Sequence, residues 1–174
     1  MRNLAFGARR CVWPSILAII LAVALLAVLA PRVEAAPAAY PYYEGERWID
    51  VDLSNQTATA YIGSEPVHTA LVTTGINGRT PVGDFYIFYR VYDEVMDSST
   101  IGIPSNGPGG WYLPNVYFTQ YFAAGGYSLH YNYWAPRDVF GNRPTSAGCV
   151  GMEYGDAAFF WDFAGYGTRV HTHY

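Results

Sequence analysis

Residues 48–62, WIDVDLSNQTATAYI, decide how the rest of the chain is read. Trp48-Ile49-Asp50-Val51-Asp52-Leu53 alternates polar and apolar side chains, a period of two that buries one face of a β-strand and wets the other. Ser54-Asn55-Gln56 supplies turn residues, and Thr57-Ala58-Thr59-Ala60-Tyr61-Ile62 reads as the partner strand of a hairpin.

Outward from this hairpin the same vocabulary repeats. Gly63-Ser64-Glu65-Pro66 reads as a turn, 67–74 as a third strand closing at Gly75, and Asn77-Gly78 as another turn. Thr80-Pro81-Val82-Gly83 introduces a strand over 84–92. Residues 93–115 hold Gly102, Pro104, Gly107, Pro108, Gly109, Gly110 and Pro114 with little periodicity, so they read as one long loop. Strand-like, aromatic-rich composition resumes at 116–122 and 127–134. The one helix is expected at 156–164 with Asp156 as its N-cap, and 168–174 as a last strand. Many short strands with one short helix near the C-terminus predict a mainly β fold, a sandwich or barrel-like sheet.

The N-terminal side is different in kind. Arg2, Arg9 and Arg10 precede an almost wholly apolar run at 12–30, and Val33-Glu34-Ala35-Ala36 offers the small residues that a signal peptidase cuts beside. Residues 1–36 are therefore expected to be a signal peptide or an N-terminal membrane anchor. Residues 37–46 then form a Pro/Tyr/Ala tether and 47–174 the folded domain, exported to the cell envelope. From Pro37 onward there are six Arg, no Lys and thirteen Asp or Glu, and six minus thirteen is −7. That acidity excludes binding to nucleic acid or anionic lipid by charge.

Of the two cysteines, Cys11 lies in the leader, so Cys149 has no disulfide partner within the folded domain. A lone exported cysteine is either a small buried hydrophobe or a working thiol. The histidines His68, His130, His171 and His173 are the available bases. In Tyr127-Ser128-Leu129-His130-Tyr131, alternation puts Ser128 and His130 on one face of a strand. Fifteen residues then separate His130 from Ser146-Ala147-Gly148-Cys149, enough for the cysteine segment to fold back beside it. Ser146 and Gly148 suit a tight turn whose N–H groups face a carbonyl oxygen. His171-Thr172-His173 puts two imidazoles on one strand face, but no third ligand is near, so no metal and no cofactor is expected. His68 reads as a surface or edge residue.

The order of these pieces resembles the L,D-transpeptidase catalytic domain (YkuD-like) family. Its signature is a His, some fourteen to seventeen residues, then Ser/Thr-His-Gly-Cys, an apolar residue and Asn or Arg. Here His130 is followed, fifteen residues later, by Ser146-Ala147-Gly148-Cys149-Val150-Gly151. Residues 49–56 are similar to the family's opening hairpin, "I-x-V-x-L-x-x-Q". Val72-Thr73-Thr74-Gly75 and Thr80-Pro81-Val82-Gly83-Asp84-Phe85 are similar to its "S/T-T-G … T-P-x-G-x-F" segment. Gly155-Asp156-Ala157 and Gly167-Thr168-Arg169-Val170 are similar to its "D-A … G-T-x-V" ending.

The resemblance implies an L,D-transpeptidase that joins peptidoglycan stem peptides through a Cys thioester, releasing the terminal D-Ala and forming 3→3 crosslinks. It implies Cys149 as nucleophile and His130 as general base, with Ser146 and Gly148 shaping the turn. The Gly148 and Cys149 N–H groups become oxyanion donors. Tyr131, Trp111 and Tyr112 are expected to bind substrate, with 93–126 acting as a lid. Three positions depart from the pattern: Ala147 stands for the family's second His, Gly151 for its Asn or Arg, and Tyr131 for the Gly or Ser after the first His. Those departures support a second reading, a wall-binding domain impaired in catalysis. A sortase-like transpeptidase also places His before Cys, but lacks the T-P-x-G-x-F segment.

Overall fold

The computed structural model describes residues 45–174; the 1–36 leader and nearly all of the 37–46 tether lie outside them. The strands are β1 (Arg47–Asp52), β2 (Thr57–Ile62), β3 (Glu65–Thr73), β4 (Gly83–Tyr86), β5 (Tyr89–Asp97), β6 (Tyr112–Ala123), β7 (Tyr127–Tyr131), β8 (Val150–Met152) and β9 (Arg169–His173). Among the described residues there is one α-helix, α1 (Tyr154–Phe163). The strands form one sheet in the order β4-β9-β1-β2-β3-β8-β7-β6-β5. It is mainly β and curls into a half-barrel, as the sequence predicts.

The curl follows from the chain's path. The single strand expected at 84–92 is two strands, β4 and β5, which lie at opposite edges of the sheet. Ile87 and Phe88 join them, the Ile87 N–H donating to the Thr168 carbonyl at 3.0 Å and the Phe88 N–H to the Tyr121 carbonyl at 3.0 Å. Two residues can bridge the two edges only if the sheet bends until they approach.

In the opening hairpin, Ile49 faces Ala60 and Val51 faces Ala58 across an antiparallel register, all four buried. Asp52 closes the turn by accepting the N–H groups of Ser54 and Asn55 at 2.9 Å each. Gln56 has φ 53° and is 3% exposed. Its amide nitrogen donates to the Leu53 carbonyl and to Thr74 Oγ1, both at 2.7 Å, and its Oε1 accepts the Thr74 N–H at 2.9 Å. The glutamine therefore fastens the hairpin to the end of β3, where the chain turns toward Gly75.

Three expectations need correction. Residues 93–115 are not one long loop: β5 continues to Asp97, residues 98–101 form a 3-10 turn, and β6 starts at Tyr112. The alternation is hidden because the β5–β6 register slips between Glu94 and Met96, and Asn115 and Phe118 take positive φ. The segment expected as a lid is thus mostly a paired hairpin.

The helix starts at Tyr154, with Glu153 rather than Asp156 at the N-cap. Asp156 instead bonds His68 Nε2 at 2.8 Å. His68 is paired with Ala60 of β2 but lies short of the part of β3 that β8 pairs; it is part-exposed, as expected of a surface or edge residue, and its ring packs on Phe159 at 4.1 Å between centroids. Phe160 and Phe163 bury the inner face of α1 in the core.

Gln56→Ala should lower unfolding stability by about 2–3 kcal/mol, because it strips a buried Thr74 N–H of its acceptor. Urea denaturation checks this, with the midpoint falling and the slope unchanged.

Candidate active site

β7 and β8 run parallel, with Leu129 opposite Val150, His130 opposite Gly151 and Tyr131 opposite Met152. Parallel neighbours need a crossover, and here residues 132–149 supply it without an α-helix. The return path is stitched to the end of β3. Gly141 N–H donates to the Val72 carbonyl, Thr145 and Ser146 N–H to that of Thr74, and Ile76 N–H to that of Ser146, all within 2.9–3.0 Å.

The turn before β8 is held from several sides. Ser146 Oγ donates to the Cys149 carbonyl at 2.6 Å and accepts the Gly148 N–H at 3.0 Å. Thr80 Oγ1, 2% exposed, accepts the Gly75 N–H and donates to the Gly148 carbonyl, both at 2.8 Å. A Cβ on Gly75 would lie 2.8 Å from the Gly148 Cα, so glycine there is required by the approach of two backbones. This corrects one expectation, since the Gly148 N–H is spent on Ser146. Of the two amides expected to face an oxyanion, that of Cys149 remains.

Cys149 is a free, half-buried thiol. Ser128 Oγ lies 3.5 Å from its sulfur, and the thiol donates to the Gly126 carbonyl at 3.4 Å. The predicted shared face of Ser128 and His130 is the face that meets it. His130 is 2% exposed. Its Nδ1 is 2.8 Å from the Tyr131 carbonyl; a carbonyl can only accept, so Nδ1 carries the proton and Nε2 of the neutral ring keeps its lone pair. Trp134 stacks on the imidazole at 5.5 Å and 19°.

Burial pushes the Cys149 thiol up, but hydrogen bonding and attraction from His130, with help from Ser128, reverse this and leave it below an ordinary thiol. Burial likewise pushes the His130 imidazole down, and Cys149, the Tyr131 carbonyl and the charge of Glu94 reverse it to a net rise. Each group stabilises the other's charged form. Such a pair can form a thiolate more readily than an isolated thiol and deliver a proton to a departing group.

Two cavities meet at Cys149. One of about 450 Å³ runs along Glu94, Tyr121, Gly126 and Tyr127. The other, of about 310 Å³, contains His130, Trp134, Leu113, Thr145 and Ser146. Met96, Trp111, Ala147 and Cys149 line both. Of the residues expected to bind substrate, only Trp111 is on these walls. Tyr112 is 61% exposed, out on the β5–β6 hairpin. The Tyr131 side chain packs edge-on against Tyr154 at 5.2 Å and lines a separate hollow with Glu153 and Phe140; its carbonyl, not its ring, serves His130. Glu94, Met96, Tyr121 and Trp134 escaped the sequence reading. Only Trp134 carried a local signal, four residues after His130.

The departures from the family pattern acquire physical content. Ala147 is exposed and sits where the two cavities join, so its small side chain opens that wall. A Cβ on Gly151 would fall 2.6 Å from Asn132 Nδ2 and 2.9 Å from its Cβ. Asn132, 4% exposed, fills the volume that a side chain at 151 would take. His171 pairs with Asp84 at 3.0 Å and His173 with Asp50 at 3.2 Å. Among the described residues no cluster suits a metal ion.

Comparison with known proteins follows the same lines. The YkuD family model, L,D-transpeptidase catalytic domain, matches residues 46–172. L,D-transpeptidase 1 of Mycobacterium tuberculosis is 31% identical over 119 residues, 68% of this chain and 47% of that protein. The probable L,D-transpeptidase 3 of the same organism is 31% identical over 91 residues, 52% of this chain and 33% of that one. This chain thus spans less than half the length of these curated relatives. An L,D-transpeptidase structure from Mycobacterium smegmatis superposes with TM-score 0.69 at 27% identity, covering 74% of this chain and 59% of that one. The structure of the LD transpeptidase LdtMt1 in complex with imipenem gives TM-score 0.69 at 26% identity, covering 73% and 58%.

Gly151→Ala should cost about 1–3 kcal/mol through overlap with Asn132. In an Asn132→Gly background the same change should cost at least about 1 kcal/mol less, a coupling that a double-mutant cycle of denaturation curves measures.

Proposed function

Because the chain belongs to the L,D-transpeptidase catalytic domain family, we propose that it is an exported cysteine acyltransferase acting on peptidoglycan stem peptides. The observation that carries this reading is the Cys149 thiol, lowered by His130 where two cavities meet. The basic and apolar leader at 1–36 supports export, with attachment to the membrane if it is retained. Residues 37–46 are the tether and 47–174 the catalytic domain.

His130 Nε2 takes the thiol proton and Cys149 attacks the carbonyl carbon of the third stem residue. The new C–S bond puts negative charge on the carbonyl oxygen, which the Cys149 N–H stabilises. As the tetrahedral species collapses, the C–N bond to the terminal D-Ala breaks and His130 returns its proton to the leaving amine. An amine of a second stem then attacks the thioester, loses its proton to His130 and expels the thiolate, forming a 3→3 crosslink. The Tyr131 carbonyl keeps the imidazole in the tautomer these transfers need. Trp111, on both cavity walls, holds the stem over the sulfur.

Ala147 favours the second reading, an impaired wall-binding domain, since it lacks the family's second imidazole. The proton path drawn above does not use that position, and Gly151 has a packing cause in Asn132.

Incubation with a carbapenem, and separately with a tetrapeptide-stem muropeptide, followed by intact-mass measurement, distinguishes the two. A covalent adduct and D-Ala release are expected, absent in Cys149→Ala and slowed about 10²–10⁴-fold in His130→Ala. A folded protein that forms no adduct and releases no D-Ala contradicts the acyltransferase reading.

A further inference from the structure

Two residues beyond His130, Asn132 is 4% exposed and lies over Gly151. Its backbone N–H donates to the Met152 carbonyl at 2.9 Å, carrying the β7–β8 pairing one step past Tyr131. Its side-chain Oδ1 accepts the Ala135 N–H at 3.2 Å. A backbone N–H needs an oxygen, which fixes the amide: Oδ1 faces Ala135 and Nδ2 faces Gly151. The bond closes a turn whose middle residues are Tyr133 and Trp134, the use to which a short amide is well suited. Trp134 is the residue that stacks on the His130 ring. Tyr133 meets the indole edge-on at 5.0 Å between centroids, and its hydroxyl donates to the Pro114 carbonyl of β6 at 2.9 Å.

The imidazole needs such a support. Rotation of a histidine ring about its last side-chain bond is soft. The bond from Nδ1 to the Tyr131 carbonyl fixes one atom of the ring, and a ring held at one atom can still tilt. An indole lying nearly flat against its face opposes that tilt. Filling the volume above Gly151 does not call for an amide, because an aliphatic side chain would do so without burying a polar group. What the amide adds is the acceptor for Ala135, and through it the place of Trp134. Gly151, where the family pattern has Asn or Arg, leaves the room this side chain occupies.

Resting on the acyl-transfer reading above, we propose that Asn132 is a positioning residue: it closes the 132–135 turn, so that Trp134 holds the His130 imidazole with Nε2 toward the Cys149 sulfur. Asn132 touches neither the thiol nor the substrate in this scheme and acts through one ring. The titratable groups around the Cys149–His130 pair are Glu94 and Asp97 of β5, Tyr121 of β6 and Tyr127 of β7. The smaller cavity adds none beyond the pair itself.

Asn132→Leu keeps the volume and removes the acceptor, while Trp134→Leu removes the stack at a part-exposed position. Neither alters a titratable group, so a displaced thiol titration reports the placement of the ring. The readouts are the second-order rate of Cys149 acylation by a carbapenem and the ultraviolet thiolate titration, each variant corrected by its own Cys149→Ala counterpart. Denaturation curves establish that each protein is folded at the assay temperature. Either change should slow acylation about 10–100-fold and move the thiol upward, in the direction of His130→Gln. Added to Trp134→Leu, Asn132→Leu should slow acylation no more than about threefold further, because both act through the same contact. Wild-type acylation and titration in Asn132→Leu overturn the inference, as do losses in the two variants that multiply in full. If Asn132→Leu does not fold, Trp134→Leu decides, and an unmoved thiol overturns it. A wild-type protein that no carbapenem acylates contradicts the acyl-transfer reading, while the titration still tests the ring.

Discussion

The site depends on one constraint, the parallel pairing of β7 with β8. Because His130 faces Gly151 in that ladder, the residue just before β8 falls beside Ser128 and His130, and that residue is Cys149. A parallel ladder cannot be closed by a tight turn, so the chain between the strands must travel out and return. The return is where the structure invests its buried polar groups. Thr80 spans the Gly75 N–H and the Gly148 carbonyl, Gln56 anchors Thr74, and Thr74 in turn holds Thr145 and Ser146. Each of these buried donors has a partner, which holds the turn carrying the sulfur in place.

That rigidity matters because burial works against both reactive groups. Removing either partner would leave the other desolvated and neutral, Cys149 as a thiol and His130 as an uncharged ring. Held together, each reverses the penalty on the other. The negative charge at Glu94 adds to the support of the imidazolium from across the larger cavity. Thiolate chemistry here is therefore a property of placement more than of local composition, and this explains how the pairing survives at a turn lacking the family's second histidine.

How much of this could be read from residues alone depended on range. Period-two alternation revealed β1, β2 and β9, since each has one buried face, whereas β7 and the end of β6, buried on both faces, showed as strand-like, aromatic-rich composition. The similarity of ordered motifs pointed to Cys149 and His130, and the structure supplies reasons for motif residues that looked arbitrary: the glutamine at 56, the glycine at 75, the threonine at 80. Local signals failed where a distant partner decides. The bulge near Glu94 erased the alternation of β5, and the split of 84–92 between two sheet edges depends on curvature that no window of sequence contains. Asp156 looked like a helix cap because nothing nearby revealed His68. Tyr112 and Tyr131 are aromatics beside the motif residues, yet strand geometry turns both away from the sulfur. Glu94 and Tyr121, twenty-seven residues apart, become neighbours only when β5 and β6 pair.

The central claim is that His130 lowers the Cys149 thiol and so eases the loss of its proton. Titrating the folded domain by ultraviolet thiolate absorbance, with Cys149→Ala subtracted to remove the tyrosines, tests it most directly. The account predicts a transition below the ordinary thiol value of 9.0, moving upward in His130→Gln. A wild-type thiol that titrates at or above that value, or one that His130→Gln leaves in place, would contradict it.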